Sequence, residues 1–173
     1  MGFKKIVLGG ASRRLSVENG LRELSQECDY VMIHDAVRPF ADELLIKRVI
    51  DSAMECGAAV AGVPVVSTIK KTGVYRMPVT HKQISIVRET VKRENLWEIQ
   101  TPQVFKKSII LKAYQKNPDK FVTDDSTLVE KCAVKVSVVM GSYYNIKITT
   151  PEDLVLAEAI SGANKDGRCL KSV

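Results

Sequence analysis

An α/β fold, with a mostly parallel sheet flanked by helices and a protruding β-arm, is what the sequence predicts, and three patterns predict it. Strand-like and helix-like periodicities alternate from Phe3 to Val65, the rhythm of strands joined by crossover helices. Between Ser67 and Trp97, polar and β-branched residues alternate around Thr72-Gly73, with Pro78 interrupting. That is the pattern of an extended hairpin rather than a core element. Helical spacing then returns toward the C-terminus.

Taken in order, Phe3–Leu8 reads as a short buried strand, and Gly9-Gly10 lets the backbone turn sharply after it. Ser16–Glu27 places Val17, Leu21 and Leu24 at helical spacing, with Ser16 as the cap. Tyr30–Ile33 is a β-rich run that stops at His34-Asp35. Asp42 caps a helix over Glu43–Cys56 whose core stripe is Leu45, Ile46, Val49, Ile50 and Ala53, and Gly57 ends it. Ala58–Val65, small and β-branched, is another buried strand. Beyond the arm, helices are expected at Lys107–Lys116 and Asp124–Cys132, and strands at Val134–Met140 and Tyr144–Ile148. Thr150 caps the last helix, with Pro151 in its first turn and Glu152 and Asp153 facing the positive end of its dipole. Gly162–Val173 reads as a tail, so the expectation is one domain over residues 1–161, with the arm at about 67–97.

At 173 residues the chain is long enough for one domain with a hydrophobic core. Hydrophobic content of 45% and charged content of 27% are those of an ordinary globular protein, and the apolar run near Met1 is too short for a signal peptide or a membrane span. The formal charge of +6 fits an anionic small substrate better than nucleic acid, because the lysines are scattered and few aromatics lie among them. The four cysteines are far apart, form no Cys-x-x-Cys pair, and have only two histidines for company, which argues against zinc. Isolated thiols suit a reducing cytosol, so a cytoplasmic protein is expected.

Asp35 follows a predicted central strand, where ligands of open α/β sheets bind, and its carboxylate is placed either to hold a metal ion or to cap a turn. Arg38 on the same loop is a forked cation suited to phosphate, or a solvated charge. Gly9-Gly10 permits close backbone approach and Ser16 offers a hydroxyl to a base edge, although a strand-ending Gly-Gly is also an ordinary turn. Thr68 and Arg93 flank the arm, as potential ligand contacts or as a strand threonine and a surface charge. Thr101, Thr123 and Lys147 could bond sugar oxygens and phosphate, or respectively precede a proline turn, cap a helix and flank a strand.

Three segments decide among these readings: HDAVRP (His34–Pro39), QTPQVF (Gln100–Phe105) and NIKITTPEDL (Asn145–Leu154). In this order and at these distances, the chain from about Gly2 to Ile160 resembles the 2-C-methyl-D-erythritol 4-phosphate cytidylyltransferases. The resemblance implies a Rossmann-like fold and transfer of a cytidylyl group from CTP to the polyol phosphate, with release of pyrophosphate. It further implies a magnesium ion on Asp35, with Asp35 and Lys147 in catalytic roles. On the nucleotide side it implies Gly10, Ser16, Asp35 and Ala36. On the polyol-phosphate side it implies Arg38, Thr68, Arg93, Thr101, Thr123 and Lys147, with Thr68 and Arg93 reaching across a homodimer formed through the arm. No nucleic acid and no membrane enter that picture.

The match also departs from the family pattern. Family members begin with a strand, an arginine-bearing glycine-rich loop and a Pro-Lys segment, which cradle the triphosphate; Gly9–Arg14 continues into SVENGL and so matches the later cytosine-side segment instead. The expectation is a member lacking that first segment, with activity of this chain alone in question. Two rivals stand beside it. One is a ribitol 5-phosphate cytidylyltransferase, which shares QTPQ, the TD segment and NIKITT. The other is a non-catalytic remnant that dimerises or binds sugar phosphate.

Overall fold

The computed structural model describes residues 5–117 and 123–165. In chain order the elements are α1 (Arg13–Arg22), β1 (Tyr30–Ile33), α2 (Glu43–Cys56), β2 (Ala58–Pro64), β3 (Ile69–Arg76), β4 (Gln83–Val91), β5 (Trp97–Lys106), α3 (Lys107–Lys116), α4 (Ser126–Glu130), β6 (Ser137–Met140) and α5 (Pro151–Lys165). The chain divides into two compact units, Val63–Glu98 and the residues on either side of it.

The larger unit is built on a sheet of order β1-β5-β2-β6. β1 runs antiparallel to β5, with Val31 opposite Phe105, and β2 runs parallel to β6, with Val60 opposite Val138. At the two ends of β2, Lys106 donates to the Gly57 carbonyl and Val65 to that of Leu96, which sets β5 antiparallel to β2 as well. β1, β2 and β6 therefore share one direction, and β5, returning from the hairpin, runs against them. Alternating side chains of β2 supply two cores. Ala58 and Val60 pack with Phe105, Ile110 and Leu128 on one side. Ala59 and Ala61 pack with Leu45, Val49, Ala53 and Val104 on the other. Each fully buried large apolar side chain here is worth about 1.5–3 kcal/mol relative to an exposed one.

Helix α2 starts and stops where its sequence dictates. The Asp42 carboxylate accepts from Leu45 N at 2.6 Å, and Gly57 ends the helix at φ 86°, where a Cβ would meet Ile109 Cδ1 at 2.7 Å. The Asp153 carboxylate accepts from the backbone of Thr149 and Thr150 at the head of α5.

Other expectations are corrected. Phe3 and Lys4 lie outside the described residues, and Lys5–Gly10 form no strand. Ile6 and Leu8 are 90% and 87% exposed, since no described strand lies alongside to pair with them. α1 begins at Arg13 under a Ser12 cap, because Ser16 uses its hydroxyl elsewhere. α4 is shorter than Asp124–Cys132, since the Asp124 carboxylate takes up the Thr127 amide and hydroxyl ahead of it. Strand β6 covers only Ser137–Met140 of Val134–Met140. Tyr144–Ile148 is not a strand: its backbone bonds go to loops, Asn145 N to Ser142 O and Ile148 N to Val37 O. α5 runs past Gly162 to Lys165, and the rest of the expected tail lies outside the described residues.

The smaller unit is a two-stranded antiparallel hairpin, with Ile69 opposite Val91 and Arg76 opposite Gln83. Its turn is Met77–Lys82, where Met77 N donates to Lys82 O at 2.9 Å and His81 adopts φ 56°. Thr72-Gly73 lies within β3, beside a bulge between Lys71 and Thr72. A Cβ at Gly73 would stand 2.3 Å from Arg88 Nε, so the arginine side chain lies across the glycine and would have to swing aside for a larger residue. Val74, Tyr75 and Val87 are exposed on this hairpin.

Candidate functional site

β1 ends at Ile33 and delivers His34 and Asp35 beyond the carboxyl end of the sheet's parallel strands. A closed circuit of hydrogen bonds shapes the loop that follows. Asp35 N donates to Thr101 Oγ1 at 3.0 Å, and Thr101 Oγ1 meets His34 Nδ1 at 3.0 Å. His34 Nε2 lies 3.0 Å from the Arg38 carbonyl, and Arg38 N donates to Asp35 O at 2.9 Å. A carbonyl only accepts, so the Nε2–H tautomer of His34 satisfies both contacts, with Nδ1 accepting the threonine proton.

Asn145 ties the third segment to this loop. Its side-chain amide, fully buried, donates to Gln100 Oε1 at 3.1 Å and to the Thr101 carbonyl at 2.9 Å. Gln100 in turn donates to Ser142 O at 2.9 Å, and Arg38 Nη1 donates to the Asn145 carbonyl at 2.6 Å. HDAVRP, QTPQ and NIKITT are thus bonded into one construction around Asp35.

Three cations surround that carboxylate. Lys147 Nζ is 3.0 Å from Asp35 Oδ2, Arg38 Nε is 3.7 Å from the same oxygen, and Arg13 Nε is 3.7 Å from Oδ1. Burial pushes the Asp35 carboxyl up, but the Lys147 hydrogen bond and charge, joined by Arg13 and Arg38, outweigh it and hold the group below its ordinary range. Arg13 itself bonds Asp125 Oδ2 at 2.7 Å, and the Tyr114 hydroxyl donates to Asp125 Oδ1 at 2.6 Å. Burial works against the Arg13 charge and is overcome by Asp125, so its pKa rises; burial and the Asp125 charge together push the Tyr114 phenol up. Three cations against the two carboxylates Asp35 and Asp125 leave the cluster net positive and suited to anions.

The remaining residues singled out from sequence fall as follows. Gly10 N donates to Ser16 Oγ at 2.9 Å, and a Cβ on Gly10 would stand 2.3 Å from Leu15 Cβ, so the glycine is needed for the turn itself. Ala36 is exposed on the loop after Asp35, and Thr123 is exposed ahead of Asp124. Burial raises the Asp124 carboxyl, but bonds from Thr127, Ser126 and Gln103 bring it below the ordinary value. Thr68 is exposed in the hairpin unit, where Arg93 donates to the Val66 carbonyl. Thr101 is buried with its hydroxyl engaged inside the protein, which gives it a positioning role around Asp35. Sequence reasoning passed over Asp125, Tyr114 and the roles of Gln100 and Asn145. Gln100 and Asn145 sit inside segments already singled out, whereas nothing local to Asp125 or Tyr114 marks them.

The sheet gathers Asp35 and three cations beyond its strand ends, an α/β fold with a site suited to anions. Chains of similar structure narrow the class. A 4-diphosphocytidyl-2C-methyl-D-erythritol synthase from Anaerococcus prevotii matches at TM-score 0.75 and 37% identity, covering 89% of this chain and 66% of that one. The 2-C-methyl-D-erythritol 4-phosphate cytidylyltransferase from Thermus thermophilus matches at TM-score 0.73 and 34% identity, covering 89% and 71%. The chain belongs to the 2-C-methyl-D-erythritol 4-phosphate cytidylyltransferase family, whose model matches residues 3–163. Among proteins of that name, the one from Alkaliphilus metalliredigens is 43% identical over 166 residues, and that from Solibacter usitatus 48% identical over 158. The chain spans 65% and 62% of the length of these two relatives.

Proposed function

We propose that this chain serves cytidylyl transfer from CTP to 2-C-methyl-D-erythritol 4-phosphate, giving CDP-methylerythritol and pyrophosphate for isoprenoid precursor synthesis. The observation that carries the reading is the convergence of the three family segments on one net-positive cluster around Asp35. In such a transfer a phosphate oxygen of the polyol attacks the α-phosphorus of CTP. The protein's work is to align two anions and to offset spreading negative charge. Lys147, 43% exposed at its side chain, engages phosphate in this reading, and Arg38, 13% exposed and fixed on the Asn145 carbonyl, adds positive charge from the adjoining loop. Gly10, Ser16 and Ala36 are assigned to the nucleotide. Arg38, Thr123 and Lys147, with Thr68 and Arg93 of the hairpin, are assigned to the polyol phosphate, and Thr101 holds the loop that carries Asp35.

Asp35 is the residue that would hold a magnesium ion. Among the described residues no group of three His, Cys, Asp or Glu side chains is placed for a metal. A single carboxylate nonetheless fits magnesium, which is held by one or two carboxylates with substrate phosphates completing its shell. When bound it would supply charge neutralisation at the nucleotide phosphates.

The exposed apolar residues of the hairpin support a homodimer formed through it, and sedimentation at micromolar concentration checks this, a monomer counting against it. Among the described residues no helix is long and apolar enough to cross a membrane, and a cytoplasmic location follows from the sequence reading. The test of the reaction is pyrophosphate release from CTP with magnesium and methylerythritol phosphate, run beside ribitol 5-phosphate. Turnover with the methylerythritol substrate supports the proposal. A preference for ribitol phosphate, or a folded chain that turns over neither, refutes it.

A further inference from the structure

Arg13 stands between two carboxylates and treats them unequally. Its Nη2 is 2.7 Å from Asp125 Oδ2, a charge-assisted hydrogen bond, while its Nε is 3.7 Å from Asp35 Oδ1, beyond hydrogen-bond distance. Asp125 has a side chain only 2% exposed, and its other oxygen accepts the Tyr114 hydroxyl at 2.6 Å. Asp35, at 16% exposure, keeps Oδ2 for Lys147 at 3.0 Å. The guanidinium is thus anchored in the interior and held short of closing on the site carboxylate.

We propose that Asp125, held by Tyr114, is a positioning residue that keeps Arg13 from closing onto Oδ1 of Asp35, so that the carboxylate charge stays available at Oδ2, where Arg38 stands at 3.7 Å, to an exchangeable cation. Lys147 is that cation in this structure; the magnesium ion takes the same role only if the function proposed above holds. A buried carboxylate with two donors is a stronger partner for a planar, forked guanidinium than a partly solvated one. Arg13 therefore contributes field at Asp35 without occupying it. Were Asp125 neutral, Arg13 would close on Oδ1 of Asp35, the remaining carboxylate among its contacts, and weaken the hold of the same carboxylate on Lys147 at Oδ2.

The consequence is a gain in Lys147 reactivity that depends on Arg13, whereas general loosening would raise it with or without Arg13. Lys147 acylation by limiting acetic anhydride, mapped by peptide mass spectrometry and referenced to Lys47 on α2, reports how firmly Lys147 is paired. Asp125→Asn should raise relative labelling of Lys147 by about threefold, the scale of one displaced ion pair. Tyr114→Phe should move it the same way by less, and the gain should vanish in the Arg13→Met/Asp125→Asn double variant. Unchanged or slower labelling in Asp125→Asn, or a gain that survives in the double variant, overturns the proposal. If Asp125→Asn does not fold, Tyr114→Phe decides, and no rise there overturns it. CTP titration of the same proteins with magnesium separates the two readings. The labelling pattern without CTP binding by the wild type refutes the proposed function and leaves the positioning role standing. CTP binding without the labelling pattern does the reverse.

Discussion

Replacing Asn145 tests the joint that holds the three segments together. The side chain has no exposed surface, and its Nδ2 donates to Gln100 Oε1 at 3.1 Å and Thr101 O at 2.9 Å. Among the described residues, no hydrogen-bond partner meets its own Oδ1. Asn145→Ala removes two donated bonds and leaves their acceptors short of a donor. At roughly 1 kcal/mol for each of the two net bonds, plus about 1–2 kcal/mol for an under-satisfied buried acceptor, the loss is about 3–4 kcal/mol. Asn145→Asp keeps the shape but points a second acceptor, ionised in water, at two acceptors, and so should cost more than alanine. Urea unfolding with the slope checked against wild type measures both. If aspartate is tolerated as well as alanine, or if alanine costs under about 1 kcal/mol, the joint does not hold the site in the way described.

Three further outcomes follow from the same geometry. Thr101→Val, which keeps the shape and loses the hydroxyl, should cost about 1–3 kcal/mol in urea unfolding through the stranded Asp35 amide, and Thr101→Ser should restore most of it. Asp35 and Asp124 have folded pKa values below the ordinary 3.8, so the stability they contribute is present above that value and lost as pH falls through their lower folded values. The urea midpoint should therefore hold down to about pH 5 and then decline, and Asp124→Asn should make the decline shallower; an unchanged slope in that variant counts against the assignment. Arg93→Ala should weaken binding of methylerythritol phosphate by more than that of CTP in parallel titrations, and equal losses would remove Arg93 from the polyol side.

How much was legible in the sequence depended on whether the deciding interaction was local. Helix α2 was read to the residue because Asp42 caps it three positions from its target and Gly57 ends it through its own backbone angle. The Lys5–Gly10 segment misled because an apolar run specifies burial only if another strand is there to pair with it. Tyr144–Ile148 has strand-like composition, yet the buried Asn145 amide commits the segment to Gln100 and Thr101 of β5. In the site, the segments drew attention to Asp35, Arg38 and Lys147, and the three side chains lie together. They did not reveal that Thr101 faces inward, since composition does not say which way a hydroxyl turns. The Arg13–Asp125 pair joins residues far apart in the chain, with no spacing to announce it.

The central claim is that the cluster around Asp35 is where the phosphate-bearing ligands bind. Calorimetric titration of methylerythritol phosphate, with CTP and magnesium present, into wild type and Lys147→Ala tests it most directly. The account predicts binding by the wild type and a loss of about tenfold or more in the variant, as expected for a charge-assisted phosphate contact, with little change in the urea midpoint. Equal affinity in the two proteins, or a folded wild type that binds neither ligand, would contradict it.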